Sequence, residues 1–396
     1  MPKAVVLDKT FPKTLDFDAK VLYSEITKTI TKRQTAEVSK LRAQISPIKQ
    51  AGSSRKQSMV SIKDIAKRCG VSVATVSKAL NSHTDISAAT RERVLATANE
   101  MGYVPNPAAR ALKTNRTYNI GVLLEDERQS GLRHEFFAAL LSSFKSEAES
   151  RGYDITFIHH NIGTRRASYL EHCRHRSVDG VIIACIPFDD PEVMELVQSE
   201  LPTVTIDHVF NNRSAVLSDN VEGVCALVDR LCALGHERIA YIHGEKHSPV
   251  TEKRLIGFYR SCEAHGISVP DAYVIPSVYR DPITCAEATR QLLALPQRPT
   301  AILFPDDFSA VGGIQALRAA GLRIPEDISI AGYDGSPLSQ VMAPVLTTYQ
   351  QDTDAMGRTA AQRLIQQIES PRSTLPEQVQ ISGQLLEGAS TAPPLR

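Results

Sequence analysis

The sequence predicts a small helical front followed by a long α/β body built on parallel sheets. Three observations carry that prediction. Within residues 59–104, apolar residues recur at the i, i+3, i+4, i+7 spacing of a helix, in segments separated by cap and breaker residues. From about residue 118, short β-branched runs alternate with longer amphipathic segments, the pattern of strands joined by crossover helices. Charge is also divided along the chain. Residues 1–58 carry 12 Lys/Arg against 5 Asp/Glu, residues 59–116 carry 9 against 4, and residues 117–396 carry 24 against 35. The net charge of +1 therefore hides a basic front on an acidic body, as expected where the front meets a polyanion. A solvated basic tail has the same signature, so charge alone leaves both readings open.

At 396 residues the chain exceeds one ordinary core, and two or three domains are expected. No apolar run reaches the ~18 residues of a membrane helix, and no apolar core follows a basic start as in a secretory signal. The seven Cys are scattered singly without a C-x-x-C pair, which argues for a reducing cytoplasm and against a disulfide framework.

Residues 1–58 are polar with weak periodicity and end in the linker-like "SPIKQAGSSRKQS". They are expected to be a disordered extension or a loosely attached helix. From Ser61 the pattern tightens. Ser61 and Asp64 have capping-box spacing, and Ile62, Ile65, Ala66 and Cys69 share one helical face before Gly70 ends the helix. Ser72 can cap a second helix through Leu80, with Val76, Ala79 and Leu80 as its buried stripe. That leaves Val73, Ala74, Ser77 and Lys78 on other faces, small residues and hydroxyls where a structural helix more often carries Glu and Lys. A third helix, "SAATRERVLATANEMGY", turns Val94, Ala98 and Met101 inward. Residues 59–104 thus read as a helix-turn-helix headpiece.

Pro105 and Pro107 stop the third helix, and Asn106 can cap the short "PAARALK" within the connecting segment 105–117. So short a helix is marginal alone and needs a partner surface. Residues 118–396 then alternate. Strands are expected at "NIGVLL", "DITFIH", "GVIIA", "TVTID", "RIAYIHG", "AILF" and "ISIAGYD", and helices at 134–151, 220–235, 250–265, 281–294, 307–320 and 354–369. Strand–helix alternation of this length suggests two subdomains with parallel sheets, which by itself fits many enzymes.

The run "IKDIAKRCGVSVATVSKALN…ISAATRERVLATANEMGYVPNPAARALKTNRTYNIGVLL" resembles the headpiece and hinge of the lac repressor/galactose repressor family. The match is dense over about sixty residues and continues sparsely to about residue 390. The resemblance implies a periplasmic-binding-protein-like body, two α/β lobes with a ligand cleft between them, acting as a homodimer on a palindromic operator. By position, Val73, Ala74 and Lys78 match base-reading residues of the recognition helix. Ser72, Thr75, Ser77, Asn81, Ser87, Thr90 and Tyr103 match phosphate contacts, with plain helix capping as the alternative for the hydroxyls. Asn106, Ala109, Leu112 and Lys113 match the hinge, where the family wedges a Leu into the minor groove; a Leu112 packed on the body is the alternative.

In the body, Asp334 ends the family signature "ISIAGYD", and Arg254 matches a recurrent ligand-binding Arg. Both sit at strand or helix ends facing the expected cleft, so replacing either is expected to spare DNA binding and abolish the ligand response. Asp306 matches a lining position or caps the helix after it. Phe137 (with Phe136) stands where the family places an aromatic against the ligand, or in the core. Asp219 and Asn220 precede helix 220–235 and are candidates for the cleft or simply its caps. The loop "EDERQSGLRHEFF" is longer than the family norm, and Glu135 stands where many relatives have Pro, so the effector class stays open. No heptad tail is present, and a dimer is expected.

Three function classes compete. A ligand-responsive transcriptional regulator with a sugar or related metabolite as effector is favoured. A transport-type solute-binding protein needs a secretory signal and no headpiece. An α/β enzyme needs a catalytic constellation, and no phosphate loop, dinucleotide fingerprint or nucleophile elbow is visible. No cofactor is expected. "EHCRHR" brings His172, Cys173 and His175 together, but without metal-site spacing or a second pair, and a solvated helix face is the expectation.

Overall fold

The computed structural model describes residues 60–80, 85–103, 111, 116–125 and 131–395. The expectations for residues 1–58, for Asn81 and for the hinge residues Asn106, Ala109, Leu112 and Lys113 lie outside them. The chain divides into a unit Met1–Pro105 and a unit Asn106–Arg396.

In the first unit, α1 (Ile62–Cys69) starts on a true capping box, in which the Asp64 carboxylate accepts from the Ser61 amide at 2.8 Å. It ends at Gly70, whose φ of 63° is cheap only for glycine. α2 (Val73–Leu80) starts where Ser72 Oγ accepts from the Thr75 amide at 3.0 Å, and Ser87 Oγ does the same for Thr90 at 3.3 Å ahead of α3 (Ala88–Glu100). Ile65, Ala66, Val76, Ala79, Val94 and Ala98 form the core. Ala79 is fully buried and Leu80 only partly so.

The second unit holds two six-stranded sheets. The first lobe runs β1 (Asn119–Leu124), α4 (Glu135–Ser150), β2 (Asp154–Phe157), a small hairpin β3–β4 (Asn161–Ile162, Arg165–Arg166), α5 (Tyr169–Arg176), β5 (Gly180–Ala184), α6 (Pro191–Gln198), β6 (Thr203–Ile206) and β7 (Ser214–Ser218). The second runs α7 (Asn220–Ala233), β8 (Ile239–His243), α8 (Pro249–Ala264), β9 (Val274–Pro276), α9 (Pro282–Leu293), β10 (Ala301–Leu303), α10 (Asp307–Ala319), β11 (Ser329–Asp334), α11 (Pro337–Val341) and β12 (Thr347–Gln350). The chain then returns: α12 (Thr353–Glu369) and β13 (Gln378–Ile381) join the first lobe, and β14 (Gln384–Leu386) the second. Strand orders are β13-β7-β6-β5-β1-β2 and β14-β12-β11-β10-β8-β9, parallel throughout except β14 against β12.

Three segments, around residues 219, 351 and 382, therefore cross between the lobes. Packing makes the return of α12 obligatory, because Met356, Ala360, Leu364 and Ile365 fill the first lobe's core against Leu140 and Phe144 of α4. The six expected helices and seven expected strands of the body lie within a few residues of those observed. "EHCRHR" corrects its expectation: within α5, His172 and Cys173 are buried, and His172 Nδ1 accepts from the His159 amide at 3.1 Å. A helix that packs on one side only must bury part of any polar run it carries.

Candidate functional site

Two candidate surfaces stand out, one in each unit. On the first, α2 divides as its sequence suggested. Val76 and Ala79 face the core, while Val73 (45 % exposed), Ala74 and Lys78 face out. The Lys78 ammonium pairs with Asp85, both half-exposed. Such a pair contributes at most about 1 kcal/mol, so Lys78 can exchange it for an acceptor on another molecule. The hydroxyl pairs Ser72–Thr75 (2.8 Å) and Ser87–Thr90 (2.9 Å) sit at the N-termini of α2 and α3. Helix N-termini with small hydroxyl residues suit phosphate oxygens, since unpaired amides and the helix dipole both point there. The capping alternative is thus met for Ser72 and Ser87, and it leaves the phosphate reading possible because the hydroxyls stay at the surface. Ser77 lies partly buried on α2, and Tyr103 packs on the core beside Met101.

In the second unit, strand ends bring a charged cluster together between the lobes. Arg254, 4 % exposed on α8, stacks its guanidinium 3.6 Å from the Tyr333 ring centre. It donates to Asn220 Oδ1 (2.8 Å) and to the Pro305 carbonyl (2.9 Å), and lies 3.9 Å from Asp334 Oδ1. Asn220 is therefore more than a cap. Asp334 closes β11 in a left-handed conformation (φ 102°), and its Oδ1 also accepts from Gln351 Nε2 at 2.7 Å. Burial, with Asp306 and Asp307 nearby, pushes its carboxyl up to about 8 against the pull of Arg254. Burial likewise raises Asp307 to about 7 and Asp207 to about 6.

Asp306 resolves as a helix cap. Its carboxylate accepts from the Ser309 amide (2.7 Å), the Ser309 hydroxyl (2.8 Å) and the Arg280 amide (2.8 Å), so both oxygens are engaged by protein. As a ligand contact it retains only spare lone pairs. Phe136 packs in the core, whereas Phe137 is half-buried and meets His134 edge-on at 4.6 Å.

Sequence reasoning missed three features of the cleft. Asp207 directly follows β6, and the strand-end rule that selected Asp334 would also have selected it. Tyr279 lies 5.5 Å from the Arg254 guanidinium and shares a 2.9 Å hydrogen bond with Thr251. His208 stacks on Phe188 at 4.1 Å, an aromatic shelf at the first lobe's strand ends. Among the described residues, no group of three His, Cys, Asp or Glu is placed to hold a metal ion.

The titration of Asp334 has a thermodynamic consequence. A carboxyl whose folded pKa lies above its unfolded value keeps a proton that the unfolded chain releases. Stability is then full below about pH 4 and falls as pH rises towards 8. Asp334→Asn, which mimics the protonated acid, is expected to raise the melting temperature at pH 8 and to flatten its decline between pH 4 and 8. Melting curves at the two pH values check this; an unchanged pH slope counts against a protonated Asp334.

Comparison with known proteins joins the two surfaces. The sequence profile described as "Bacterial regulatory proteins, lacI family" matches residues 61–106, and that of the "Periplasmic binding protein-like domain" matches 228–391. The chain is 31 % identical over 340 residues to the HTH-type transcriptional repressor PurR of Shigella sonnei (strain Ss046), covering 84 % of this chain and 97 % of that protein. Its fold is similar to the lac repressor dimer bound to operator and the anti-inducer ONPF (TM-score 0.68, 28 % identity, 84 % and 99 % of the two chains). It also resembles the transcriptional regulator CelR in complex with cellobiose (TM-score 0.62, 27 % identity, 84 % and 99 %). These likenesses, headpiece included, favour the regulator over the transport-type reading. The chain belongs to the lacI family of bacterial regulatory proteins and is a DNA-binding transcriptional regulator.

Proposed function

We propose that the chain is a cytoplasmic repressor, not an enzyme, whose grip on a palindromic operator is set by a sugar or related metabolite bound between the two lobes. The observation that carries the DNA half is the division of α2, with Val76 and Ala79 buried and Val73, Ala74 and Lys78 presented to solvent. In this reading those three residues meet base edges in the major groove. Ser72, Thr75, Ser77, Ser87, Thr90 and Tyr103, with Asn81, hold phosphates, and Asn106, Ala109, Leu112 and Lys113 form the minor-groove hinge. Phe137, Arg254 and Asp334 line the effector cleft, with Asp306 behind them. A palindromic site calls for two headpieces, so the working unit in this reading is a homodimer.

The test begins with selection of bound fragments from the host genome and mobility shift on the winning site. Lys78→Ala is expected to weaken the cognate site by about 1–3 kcal/mol and to relax preference at one base pair per half-site. Ser77→Ala should weaken all sequences about equally. Equal losses from Lys78→Ala on cognate and random DNA would reduce Lys78 to a phosphate contact. An operator complex that responds to no sugar or related metabolite would sink the effector half.

A further inference from the structure

We infer that Arg280 is a positioning residue that ties the two lobes together across the mouth of the cleft. Its Nη2 donates to the Arg133 carbonyl at 3.1 Å. Arg133 ends a short 3-10 turn, Gly131–Arg133, just ahead of α4 in the first lobe. Arg280 lies in the turn ahead of α9 in the second lobe. The bond joins residues 147 apart in sequence and involves none of the three crossing segments. The crossings fix how the lobes are connected. A contact at the mouth biases one separation over the others.

The turn that carries Arg280 is held from several sides. Arg280 itself has a φ of 56°, a left-handed conformation that a residue with a side chain keeps only when its surroundings impose it. Its amide is gripped by the buried Asp306 at 2.8 Å. The next amide, of Asp281, donates to Ser309 Oγ at 3.1 Å. On the other side, Tyr279 is anchored by its hydroxyl to Thr251 at 2.9 Å. Its ring packs so closely on Gly244 that a Cβ there would come within 2.1 Å. The guanidinium is steered by stacking 4.9 Å from the Phe308 ring centre. Asp306 and Tyr279 lie in or beside the cleft, so an occupant that moves either of them moves the tie. The inference does not depend on which effector binds, or on whether one does.

A partly exposed hydrogen bond to a backbone carbonyl shifts a two-state equilibrium by a factor of a few to about ten. The test measures lobe separation in the full-length, ligand-free protein. Keto-bearing residues replace Phe157 in the first lobe and Ile256 in the second, both exposed, and carry spin labels that leave the native cysteines untouched. Electron–electron distance measurement should show one narrow population in the parent protein. Arg280→Ala should move a severalfold larger share to longer distances. Arg280→Met, which keeps the apolar stem on Phe308 but removes the donor, should do the same and serves alone if the Ala variant fails to fold. Distributions in the variants that match the parent, or a parent already broad, would overturn the assignment.

Discussion

Replacing Arg254 by Ala is expected to destabilise the effector unit by about 2–6 kcal/mol, about 1–3 for each of the two buried acceptors it leaves without a donor. The guanidinium is 4 % exposed and serves four groups at once: Asn220, the Pro305 carbonyl, Asp334 and the Tyr333 face. Its loss leaves two buried acceptors without a donor. It also removes the cation that opposes the burial of Asp334 and Asp207, so their carboxyls move further up. The deficit should therefore grow as the pH rises above the parent values, about 6 for Asp207 and about 8 for Asp334, because there the parent releases protons that the variant still holds. Melting curves at pH 6 and pH 8 supply the check. Arg254→Lys is expected to rescue little, since a point charge cannot reproduce two directed bonds and a flat stack. A variant that melted with the parent protein would mean the network contributes nothing net. The outcome expected from sequence, intact DNA binding with no ligand response, has to be narrowed accordingly: it remains the expected result for Asp334→Ala, while Arg254→Ala should spare DNA binding only below its lowered melting temperature.

Operator affinity is expected to collapse with salt. Each phosphate neutralised by the basic front releases counterions, with a slope of log K against log salt of about −0.9 per contact. Six to ten contacts would cost roughly 10³–10⁵ in affinity between 50 and 200 mM salt. Fluorescence anisotropy with a labelled operator over that range measures the slope. Deleting residues 59–116 should abolish binding. Deleting 1–58, which carry 12 Lys/Arg against 5 Asp/Glu, shows whether the extension adds contacts, through a shallower slope, or is a solvated tail, through none. A slope near zero in the full chain would contradict binding to phosphates through the Lys and Arg of the basic front.

What the sequence by itself determined is chiefly what local chemistry decides. The capping box of Ser61 and Asp64, the hydroxyl caps of Ser72 and Ser87 and the turn at Gly70 involve partners a few residues apart, and all four occur. The division of α2 follows from helical period alone. Strands buried on both faces reveal themselves as apolar runs, so β1, β5 and β11 were legible. The short or polar elements α5, β7 and β9 carry too few periodic residues to announce themselves. Nothing local could show that α12 leaves the second lobe to complete the core of the first, or that β14 pairs antiparallel with β12.

The cleft divides in the same way. Asp334 and Arg254 were reachable from their places at element ends. Their partners were not, because Asn220, Pro305 and Gln351 stand 34, 51 and 17 residues from the groups they bind. Only the tertiary structure decided that Asp306 spends its carboxylate on holding the Arg280 turn, that Asp207 belongs to the charged cluster, and that His172 is buried. Each depends on which strand ends the topology brings face to face. A carboxylate's chemistry is set by the donors and the dielectric around it, and those come from residues that sequence spacing does not connect.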